Sequence, residues 1–482
     1  MSRHVDLFLH ASTGVFAVPD ASSSAGNVPG TGSISKRSGR RVALIAMYPI
    51  PDPAMPELIS NHGLRMIEAT LRAANIDGLD LHVYDLHDAS ADALTEELTQ
   101  LDPDVIGFSA YLWSFPLFAE VAVQLHRDDP SRLIVFGGPS ARPSMLDQLP
   151  FRKTRDAVDV LVVNEGELTF LEIVQAANRN ADSLSKIHGI ALWYDDRWHE
   201  TPTRPLADLN LLPSPYVMGL VPHGGLGVLQ TYRGCPYTCS FCEWGTMESP
   251  KRVRAAEHLA EEFNAMANTQ VTGALLVDAG LNLNGRAFDQ LEIAAERTGF
   301  FHNRKLICEV YPAKVTDQHI RFLSSVGNPL VGVGLQSFDN EVLAHVERSF
   351  DEQRFEDNMA RLTNVSRVAI EIIMGLPGDN PDQFRRSFDR ARTFPCALRV
   401  YHCCVLPSAL MVRSPAEHAL DYDPVTLKMR SCLGWSREAM QQECEFLNHQ
   451  AHVHHGQIGD YFWVFSAPVS QQQLQLRPVS IV

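Results

Sequence analysis

The stretch YRGCPYTCSFCEWG, residues 232–245, places three cysteines on one short loop, at Cys235, Cys239 and Cys242. A zinc site requires four ligands and a disulfide requires a pair, so this loop alone completes neither. Thiolates are soft ligands suited to iron–sulfur centres, and three of them leave one iron of a cubane cluster open for a small chelating molecule. Three alternatives stay open here: a zinc site with a fourth ligand elsewhere, a ferredoxin site with a distant cysteine, and chance spacing.

The overall composition is that of an ordinary globular protein. The chain has 482 residues, 45% hydrophobic and 20% charged, which is enough for two or three domains with substantial cores. A net charge of −16 without a long Lys/Arg run argues against nucleic-acid binding. We see no apolar stretch of membrane-spanning length and no secretory signal pattern. We therefore expect a cytoplasmic monomer without nucleic-acid or membrane partners.

Six further cysteines are scattered without a regular framework: Cys308, Cys396, Cys403, Cys404, Cys432 and Cys444. The odd total of nine cysteines predicts a reducing compartment, and we interpret these six as small buried hydrophobic residues. The histidine-rich stretch LNHQAHVHHG, residues 447–456, is more typical of a solvated segment or a cap over a substrate cavity than of a metal site.

The N-terminal part of the chain alternates short apolar stretches with helical ones. Residues 1–40 are expected to be a flexible segment, because 19–40 are rich in Ser, Gly and Pro. Five buried strands are then predicted at 41–47, 79–86, 104–113, 132–139 and 158–167. Strands separated by helices form a parallel sheet. Residues 41–185 are therefore predicted to be a flavodoxin-like (Rossmann-type) α/β domain whose ligand lies beyond the carboxyl ends of the strands.

A second series of strands follows a connector at residues 186–222, which contains a predicted hairpin around Asp195 and Asp196. Its six strands are predicted at 226–231, 273–278, 306–311, 330–335, 368–373 and 398–405. Six βα units over residues 223–412 make a partial (β/α)6 TIM-type barrel rather than the complete eight-unit barrel. The C-terminal region, residues 413–482, is predicted to be small and mainly helical, with a polar Gln-rich tail.

A loop with this cysteine spacing at the start of a βα series resembles the cluster motif of the radical S-adenosylmethionine (SAM) superfamily. The resemblance covers residues 226–412. It implies that Cys235, Cys239 and Cys242 hold a [4Fe–4S] cluster whose fourth iron is chelated by the amino and carboxylate groups of SAM. It also implies that Phe241, the aromatic residue before the last cysteine, packs beside the adenine.

Four further segments resemble strand ends that line the SAM pocket in that superfamily: VDAGLN (277–282), EVYP (309–312), GLQSFDNEVL (334–343) and IIMGLPGDNPDQF (372–384). The resemblance implies SAM contacts at Asp278, Glu309, Gln336, Ser337, Gly375 and Pro377. The alternative for the polar residues is a helix cap or a satisfied strand end, and the alternative for the glycine–proline segment is a tight turn.

A flavodoxin-like domain directly before such a barrel resembles the cobalamin-binding class of the superfamily. The matching segments are GFSAYLW (107–113), FGGP (136–139) and NEGELTF (164–170). Their small residues allow a bulky ligand to approach the backbone, and a serine there can hydrogen-bond a nucleotide tail. The resemblance implies cobalamin contacts at Ser109, Tyr111, Gly137, Gly138, Glu165 and Gly166.

One departure concerns the lower face of the cobalamin. Many cobalamin proteins carry D-x-H-x-x-G after the first strand, and its His ligates the cobalt, but residues 48–65 lack this motif. The resemblance then implies a cofactor without that ligand. Arg65 is our candidate for a residue under the corrin ring, with a solvated helix position as its alternative. His62 is the competing candidate.

The family resemblance implies a C-methyltransferase acting on a small-molecule or peptide intermediate of natural-product biosynthesis. Methyl passes from SAM through methylcobalamin to an unactivated carbon, with an external electron donor of the flavodoxin or ferredoxin type. One branch methylates an aromatic sp2 carbon such as indole C2 of tryptophan, and Tyr232, Tyr237 and Trp244 are compatible with it. The alternatives are ring formation or rearrangement without methyl transfer, loss of cobalamin, and an iron–sulfur electron-transfer or scaffold protein. No catalytic side chain is assigned.

Overall fold

The computed structural model describes residues 36–48, 59–246 and 252–467. Most of the N-terminal segment predicted to be flexible, and the Gln-rich tail, lie outside these residues. A seven-stranded and an eight-stranded sheet organise the described chain. None of its described helices combines the length and the apolar character needed to cross a membrane.

The seven-stranded sheet begins with five parallel strands. They are β1 (Arg41–Met47), β2 (Asp80–Leu86), β3 (Val105–Ser109), β4 (Leu133–Gly137) and β5 (Val160–Val162). Their order is β2-β1-β3-β4-β5, so the chain reverses direction across the sheet between β1 and β3. Alternate residues face two separate buried clusters, which explains the continuous apolar runs in the sequence. The flavodoxin-like prediction is confirmed.

Helices cover this sheet: α1 (His62–Ala73), α2 (Ala91–Leu101), α3 (Phe115–Asp128), α4 (Pro143–Leu146), α5 (Arg152–Arg155), α6 (Glu167–Gln175) and α7 (Ala181–Leu184). The first of them begins with a well-defined cap. The Asn61 side chain accepts a hydrogen bond from the backbone N–H of Leu64 at 2.9 Å. Because the cap fixes the first turn, it also fixes the backbone of His62.

The hairpin predicted in the connector is present, and it belongs to the first sheet. Its strands are β6 (Ile190–Tyr194) and β7 (Arg197–Glu200), and β6 pairs antiparallel with β5. Asp195 and Asp196 both have positive φ, as a two-residue hairpin turn requires. The buried apolar residues of β6 cover the edge of β5, which would otherwise expose unpaired backbone groups.

The second sheet contains six parallel strands that neighbour one another in chain order. They are β8 (Gly227–Leu229), β9 (Gly273–Leu276), β10 (Lys305–Val310), β11 (Asn328–Gln336), β12 (Arg367–Met374) and β13 (Ala397–His402). The connecting helices are α8 (Ala256–Asn268), α9 (Gly285–Thr298), α10 (Asp317–Ser325), α11 (Asn340–His345), α12 (Glu352–Val365), α13 (Pro381–Ala391) and α14 (Leu410–Arg413). The predicted partial barrel is confirmed, and its active-site edge is the carboxyl end of these strands.

The C-terminal region packs on the barrel and extends its sheet. It contains β14 (Asp421–Tyr422), β15 (Met429–Ser431), α15 (Arg437–Val453), β16 (Gln457–Ile458) and β17 (Phe462–Phe465). The last strand pairs antiparallel with β13 and covers the edge that a six-stranded barrel leaves open. The helix predicted here is α15, and the short strands were not foreseen.

Candidate active site

A cavity of about 510 Å³ lies where the carboxyl edge of the first sheet meets the start of the barrel. It is the size of an ordinary ligand site. Six residues predicted to contact cobalamin lie on strand ends and loops of the first domain, and all six line the cavity. They are Ser109, Tyr111, Gly137, Gly138, Glu165 and Gly166. The barrel contributes Val228, Gln230, Arg233, Glu243, Trp244, Val277 and Ser408. The structure therefore brings the first-domain residues together, beside the residues that directly follow Cys242.

Three positions at this edge of the sheet are occupied by glycine, each for a different physical reason. Gly138 has a φ of +92°, and a Cβ there would lie 2.7 Å from the carbonyl oxygen of Ala110, so the turn itself requires glycine. Gly107 is required by packing, because a Cβ would lie 2.8 Å from the ring of Phe170. Gly137 is different: the nearest atom to its Cβ position is in Val162, at 3.8 Å. Its lack of a side chain leaves open space in the cavity.

The deeper end of the cavity is apolar. Leu44, Val135, Val162 and Phe170 line it, and all four belong to the cluster on one face of the first sheet. Nearer the mouth, burial raises the pKa of Tyr111, and the neighbouring polar side chains of Asn61 and Ser109 oppose that rise. The cavity thus combines an apolar slot between strands and helices with a polar mouth at the strand ends.

Arg65, predicted to lie under the corrin, is held outside the cavity. Its guanidinium is 2.8 Å from a carboxylate oxygen of Glu68 and 3.2 Å from one of Asp85. These two acids hold it in a largely buried ion-pair cluster, and it is not among the lining residues of the cavity. Residues 49–58, the rest of the predicted loop, lie outside the described residues.

His62, the competing candidate, does line the cavity. Its Nε2 atom is buried and has no hydrogen-bond partner in the described parts of the chain. Burial lowers the pKa of His62 to about 3, and the nearby cations Arg254 and Arg233 contribute. The imidazole is therefore uncharged at neutral pH, and one buried ring nitrogen has no hydrogen-bond partner among the described residues.

Ion pairs clamp the cysteine loop to the first domain. Arg233, two residues before Cys235, lies 2.5 Å from Glu167 and 3.3 Å from Glu165. Arg252, on the other side of the loop, lies 2.7 Å from Glu165. The acids of the NEGE segment therefore hold the barrel against the sheet as well as lining the cavity. Sequence reasoning missed both arginines, although each flanks the cysteine loop and each is opposite in charge to that segment.

Asp278, a predicted SAM contact, anchors the beginning of the cysteine loop. One carboxylate oxygen accepts hydrogen bonds from the backbone N–H of Thr231 at 2.9 Å and of Tyr232 at 3.4 Å. The other accepts a hydrogen bond from the hydroxyl of Thr231. Burial raises the pKa of Asp278 to about 7. In the structure this side chain is thus occupied by the loop, as the strand-end alternative foresees.

Arg413 binds the same loop from the far end of the barrel sequence. Its guanidinium donates hydrogen bonds to the backbone carbonyls of four residues that lie close together on the cysteine loop. The distances are 3.1 Å to Thr238, 2.9 Å to Cys239, 3.3 Å to Ser240 and 2.6 Å to Cys242. One cation thereby fixes the backbone that carries two of the three thiols. No sequence motif marks Arg413, because its partners are backbone atoms distant in sequence.

We expect Arg413→Ala to release cluster iron to a chelator roughly tenfold faster than wild type, because losing one charge-assisted hydrogen bond costs about 1.5 kcal/mol. Iron release is followed by chelator absorbance after anaerobic reconstitution. The control is Arg354→Ala, which removes an exposed guanidinium paired with Asp351. Equal release rates for the two variants would contradict a positioning role for Arg413.

A second cation lies beside the thiols. Arg348 has a terminal nitrogen 3.7 Å from the sulfur of Cys239 and donates to the backbone carbonyl of Gly334. Its guanidinium also lies over the ring of Tyr311, 5.1 Å from the centroid. Burial raises the pKa of Cys235, and the charge of Arg348 opposes that rise. Arg348 therefore favours the thiolate form that metal binding requires.

The remaining predicted SAM contacts lie at the carboxyl ends of barrel strands, outside the lining of the cavity. Glu309 meets Glu371 across β11, and burial together with this neighbour raises the pKa of Glu309. Gln336 has a φ of +75° at an irregularity of β11. Ser337 is buried and accepts a hydrogen bond from the N–H of Asp339 at 3.1 Å.

The last three predicted contacts are apolar. Gly375 has a φ of +88° and, with Pro377, forms a buried turn after β12. Phe241 is partly buried against the barrel core. None of these placements tests SAM binding, which stays a prediction for all seven residues.

The C-terminal histidines lie at and just beyond the end of α15: His449, His452, His454 and His455. Across the described ranges, no three or more His, Cys, Asp or Glu side chains are arranged to hold one metal ion.

Two protein-family models match the chain, one in the region of the first sheet and one in the region of the second. The B12 binding domain matches residues 56–174, and the Radical SAM superfamily matches residues 229–391. The first match covers β2 to β5 of the flavodoxin-like sheet, and the second covers the cysteine loop and most of the barrel. The chain therefore contains a B12-binding domain followed by a radical SAM domain. The first domain implies cobalamin as a cofactor, and the second implies a [4Fe–4S] cluster and SAM.

Two curated relatives are similar to a large part of the chain. The chain is 27% identical over 402 residues to 2-(S-pantetheinyl)-carbapenam-3-carboxylate methyltransferase of Streptantibioticus cattleyicolor, covering 77% of this chain and 56% of the relative. It is 28% identical over 337 residues to the cobalamin-dependent radical SAM methyltransferase TokK of Streptomyces tokunonensis, covering 64% and 48%. The chain thus spans about half the length of these relatives.

Two solved structures share the fold. The radical SAM methyltransferase TsrM from Kitasatospora setae, with tryptophan and a SAM analogue bound, has a TM-score of 0.61 at 17% identity, covering 77% of this chain and 75% of that one. The cobalamin-dependent radical enzyme OxsB has a TM-score of 0.63 at 13% identity, covering 87% and 67%. At these identities the likeness concerns the fold alone.

Proposed function

We propose that the chain is a C-methyltransferase that methylates a carbon of a small-molecule or peptide intermediate of natural-product biosynthesis. One observation carries the proposal. The same cavity is lined by the strand ends of the B12-binding domain and by Glu243 and Trp244, which directly follow the third cysteine. A cobalt-bound group and a cluster-bound group can therefore approach one substrate there.

The donor set on the cysteine loop fits the cluster. Cys235, Cys239 and Cys242 lie on one loop and none of them is in a disulfide, and soft thiolates suit iron. We propose that these three hold the [4Fe–4S] cluster. Arg348 supports the thiolate form, and Arg413 holds the loop backbone in place.

The cavity of the first domain fits cobalamin. Its apolar slot beside Gly107 suits a nucleotide tail, and the open space at Gly137 suits a bulky ring at the strand ends. We propose that Ser109, Tyr111 and Glu165 contact the cofactor directly. Gly138 and Gly166 have no side chain, so we propose that they allow the cofactor to approach the backbone closely.

For SAM we propose direct contacts at the carboxyl edge of the barrel from the half-buried residues Phe241, Glu309 and Gln336, with Gly375 and Pro377 shaping the backbone. The polar atoms of Asp278 and Ser337 are engaged within the protein, so we propose that these two act through the segments that they anchor. When bound, the cluster and SAM supply a methyl donor and one-electron cleavage chemistry, and cobalamin carries the methyl group.

The side chains between the two cofactor regions define the acceptor. Arg142 Nε donates to the hydroxyl of Ser408 at 3.0 Å, and the backbone N–H of Ser408 donates to Glu243 at 3.1 Å. This polar chain runs along the cavity beside the aromatic rings of Trp244 and Tyr48. The lining supports an acceptor that has a polar group and a flat apolar body. We propose that the methylated atom is an aromatic sp2 carbon, such as indole C2 of tryptophan.

We further propose that the chain works as a monomer in the cytoplasm. A reduced protein of the flavodoxin or ferredoxin type would supply the electron to the cluster. The experiment is to reconstitute the chain anaerobically with iron, sulfide and hydroxocobalamin, add a reductant and SAM labelled in its methyl group, and extract the corrinoid.

The proposal predicts that the extracted corrinoid carries the label and that a suitable acceptor then gains it. SAM cleaved to its adenosyl and methionine fragments, with no label on corrinoid or acceptor, would contradict methyl transfer. That outcome would favour ring formation or rearrangement instead. Mass spectrometry of corrinoid, SAM fragments and acceptor separates these results.

A further inference from the structure

Arg142 lines the cavity, and its guanidinium is hydrogen-bonded to uncharged atoms. Nε donates to the hydroxyl of Ser408 at 3.0 Å, and Nη1 donates to the backbone carbonyls of Gly138 at 3.2 Å and of Ala141 at 2.9 Å. Within the described ranges, Arg142 forms no ion pair. The protein therefore holds this cation in place without neutralising its charge by direct contact.

The second terminal nitrogen of Arg142, Nη2, is left for a bound molecule. It has no hydrogen-bond partner among the described residues, and it is not one of the polar atoms that are closed off from solvent. The side chain is half-buried in the lining of the cavity of about 510 Å³. Because hydrogen bonds hold Nε and Nη1, the direction of Nη2 is fixed before a ligand binds, which lowers the entropy cost of binding.

Glu243 is the described acid whose charge acts on Arg142. Burial lowers the pKa of Arg142, and the charge of Glu243 opposes that fall. Burial also raises the pKa of Glu243, whose side chain accepts a hydrogen bond from the backbone N–H of Ser408 at 3.1 Å. Both residues line the cavity, yet no ion pair joins them. A partly buried cation without a paired anion is stabilised when a ligand brings negative charge to it.

We propose that Nη2 of Arg142 binds an oxyanion of a molecule held in this cavity. Two molecules proposed to occupy the cavity carry such a group: the acceptor, through a carboxylate, and cobalamin, through the phosphodiester of its nucleotide tail. Guanidinium groups bind carboxylate and phosphate oxygens more strongly than neutral acceptors. The proposal rests on the proposed function only in requiring these molecules in the cavity, and it makes Arg142 a specificity-determining residue.

The first arm of the test examines the acceptor as the source of the oxyanion. The full chain is reconstituted with its cluster and hydroxocobalamin, and the binding of indoleacetate and of indoleacetamide is measured by equilibrium dialysis. These probes share a flat apolar body and differ in carrying a carboxylate or a neutral amide. If the acceptor supplies the oxyanion, the wild type binds the carboxylate about tenfold more tightly, and Arg142→Gln removes that preference.

The second arm examines the cofactor as the source. Cobinamide keeps the corrin ring of cobalamin but lacks the phosphodiester and the base. The affinities of the chain for hydroxocobalamin and for cobinamide are measured by absorbance titration. If the phosphodiester is the oxyanion, Arg142→Gln weakens the binding of hydroxocobalamin about tenfold and leaves the binding of cobinamide unchanged.

Arg152→Gln is the matched control for both arms. Arg152 is an exposed arginine on α5 of the same domain that also donates to a backbone carbonyl, that of Asp147 at 3.5 Å. It is not among the lining residues of the cavity. This variant should bind all four probes as the wild type does.

Equal effects of Arg142→Gln on the charged and the uncharged member of both probe pairs would overturn the proposal. A wild-type chain that prefers neither indoleacetate over indoleacetamide nor hydroxocobalamin over cobinamide would overturn it as well, and that comparison does not depend on the folding of a variant. Neither arm requires turnover. Failure of methyl transfer would therefore overturn the proposed function while leaving the oxyanion site in place.

Discussion

Replacing Cys235, Cys239 and Cys242 together by alanine reduces the iron content of the reconstituted chain from about four atoms to background. The three cysteines are outside any disulfide and lie on one loop, which Asp278 and Arg413 hold in place. Cobalt content is retained, because the cobalamin contacts are on the first domain. Iron and cobalt are counted in the same sample by elemental analysis.

The matched control removes three thiols outside the loop, with alanine at Cys396, Cys404 and Cys444. These are interpreted as space-filling residues, so this variant keeps its iron. Full iron content in the loop variant would contradict the cluster assignment. Loss of iron in the control variant would show that a cysteine outside the loop takes part.

The second large effect concerns the open space at Gly137. Gly137→Leu is expected to weaken cobalamin binding by about a hundredfold while iron content is unchanged. The position has ordinary φ, and the nearest atom to its Cβ is 3.8 Å away, so the backbone tolerates a side chain. The added atoms occupy space in the cavity, and overlap of this kind costs about 3 kcal/mol. Titration with hydroxocobalamin, followed by absorbance, measures the change.

Gly285→Leu is the control for this variant. It also adds a side chain at a glycine with ordinary φ, and no atom lies within 4 Å of its Cβ position, but it is on α9 of the barrel. Cobalamin affinity should equal that of wild type. If Gly137→Leu also binds cobalamin normally, the cofactor does not use this edge of the sheet.

Much of the fold could be predicted from sequence because its signals are local. Buried parallel strands give continuous apolar runs, and all five strands of the first domain and all six of the barrel were located by such runs. The placement of the hairpin was harder. Its turn residues predict the two strands of the hairpin. The sheet that these strands join depends on which strand has an uncovered edge, and that strand is β5.

The site was predictable where one segment carries the chemistry. The cysteine spacing and the small residues at strand ends are visible as short patterns. The contacts that hold the loop are different, since Arg413 binds backbone carbonyls more than 170 residues away. Arg233 and Arg252 likewise pair with acids of the other domain. Such pairings depend on tertiary structure, and no local pattern records them.

Arg65 and His62 illustrate the same limit within one helix. Both stand in the first turn of α1, and the sequence alone makes either a candidate for the lower face. The difference depends on Glu68 and Asp85, which pair with the arginine away from the lining of the cavity. Asp85 is on β2, so its influence on α1 appears only after the sheet has formed.

The most direct test of the account is whether the two metal centres share one cavity region. The measurement is the spin relaxation of bound cobalt(II) cobalamin with the cluster reduced, compared with the variant that lacks Cys235, Cys239 and Cys242. We predict markedly faster relaxation in the wild type, because a reduced cluster on the loop before Glu243 and Trp244 lies beside the cavity that holds the cobalt. Equal relaxation in the two proteins, each with its full cobalt content, would contradict the shared site.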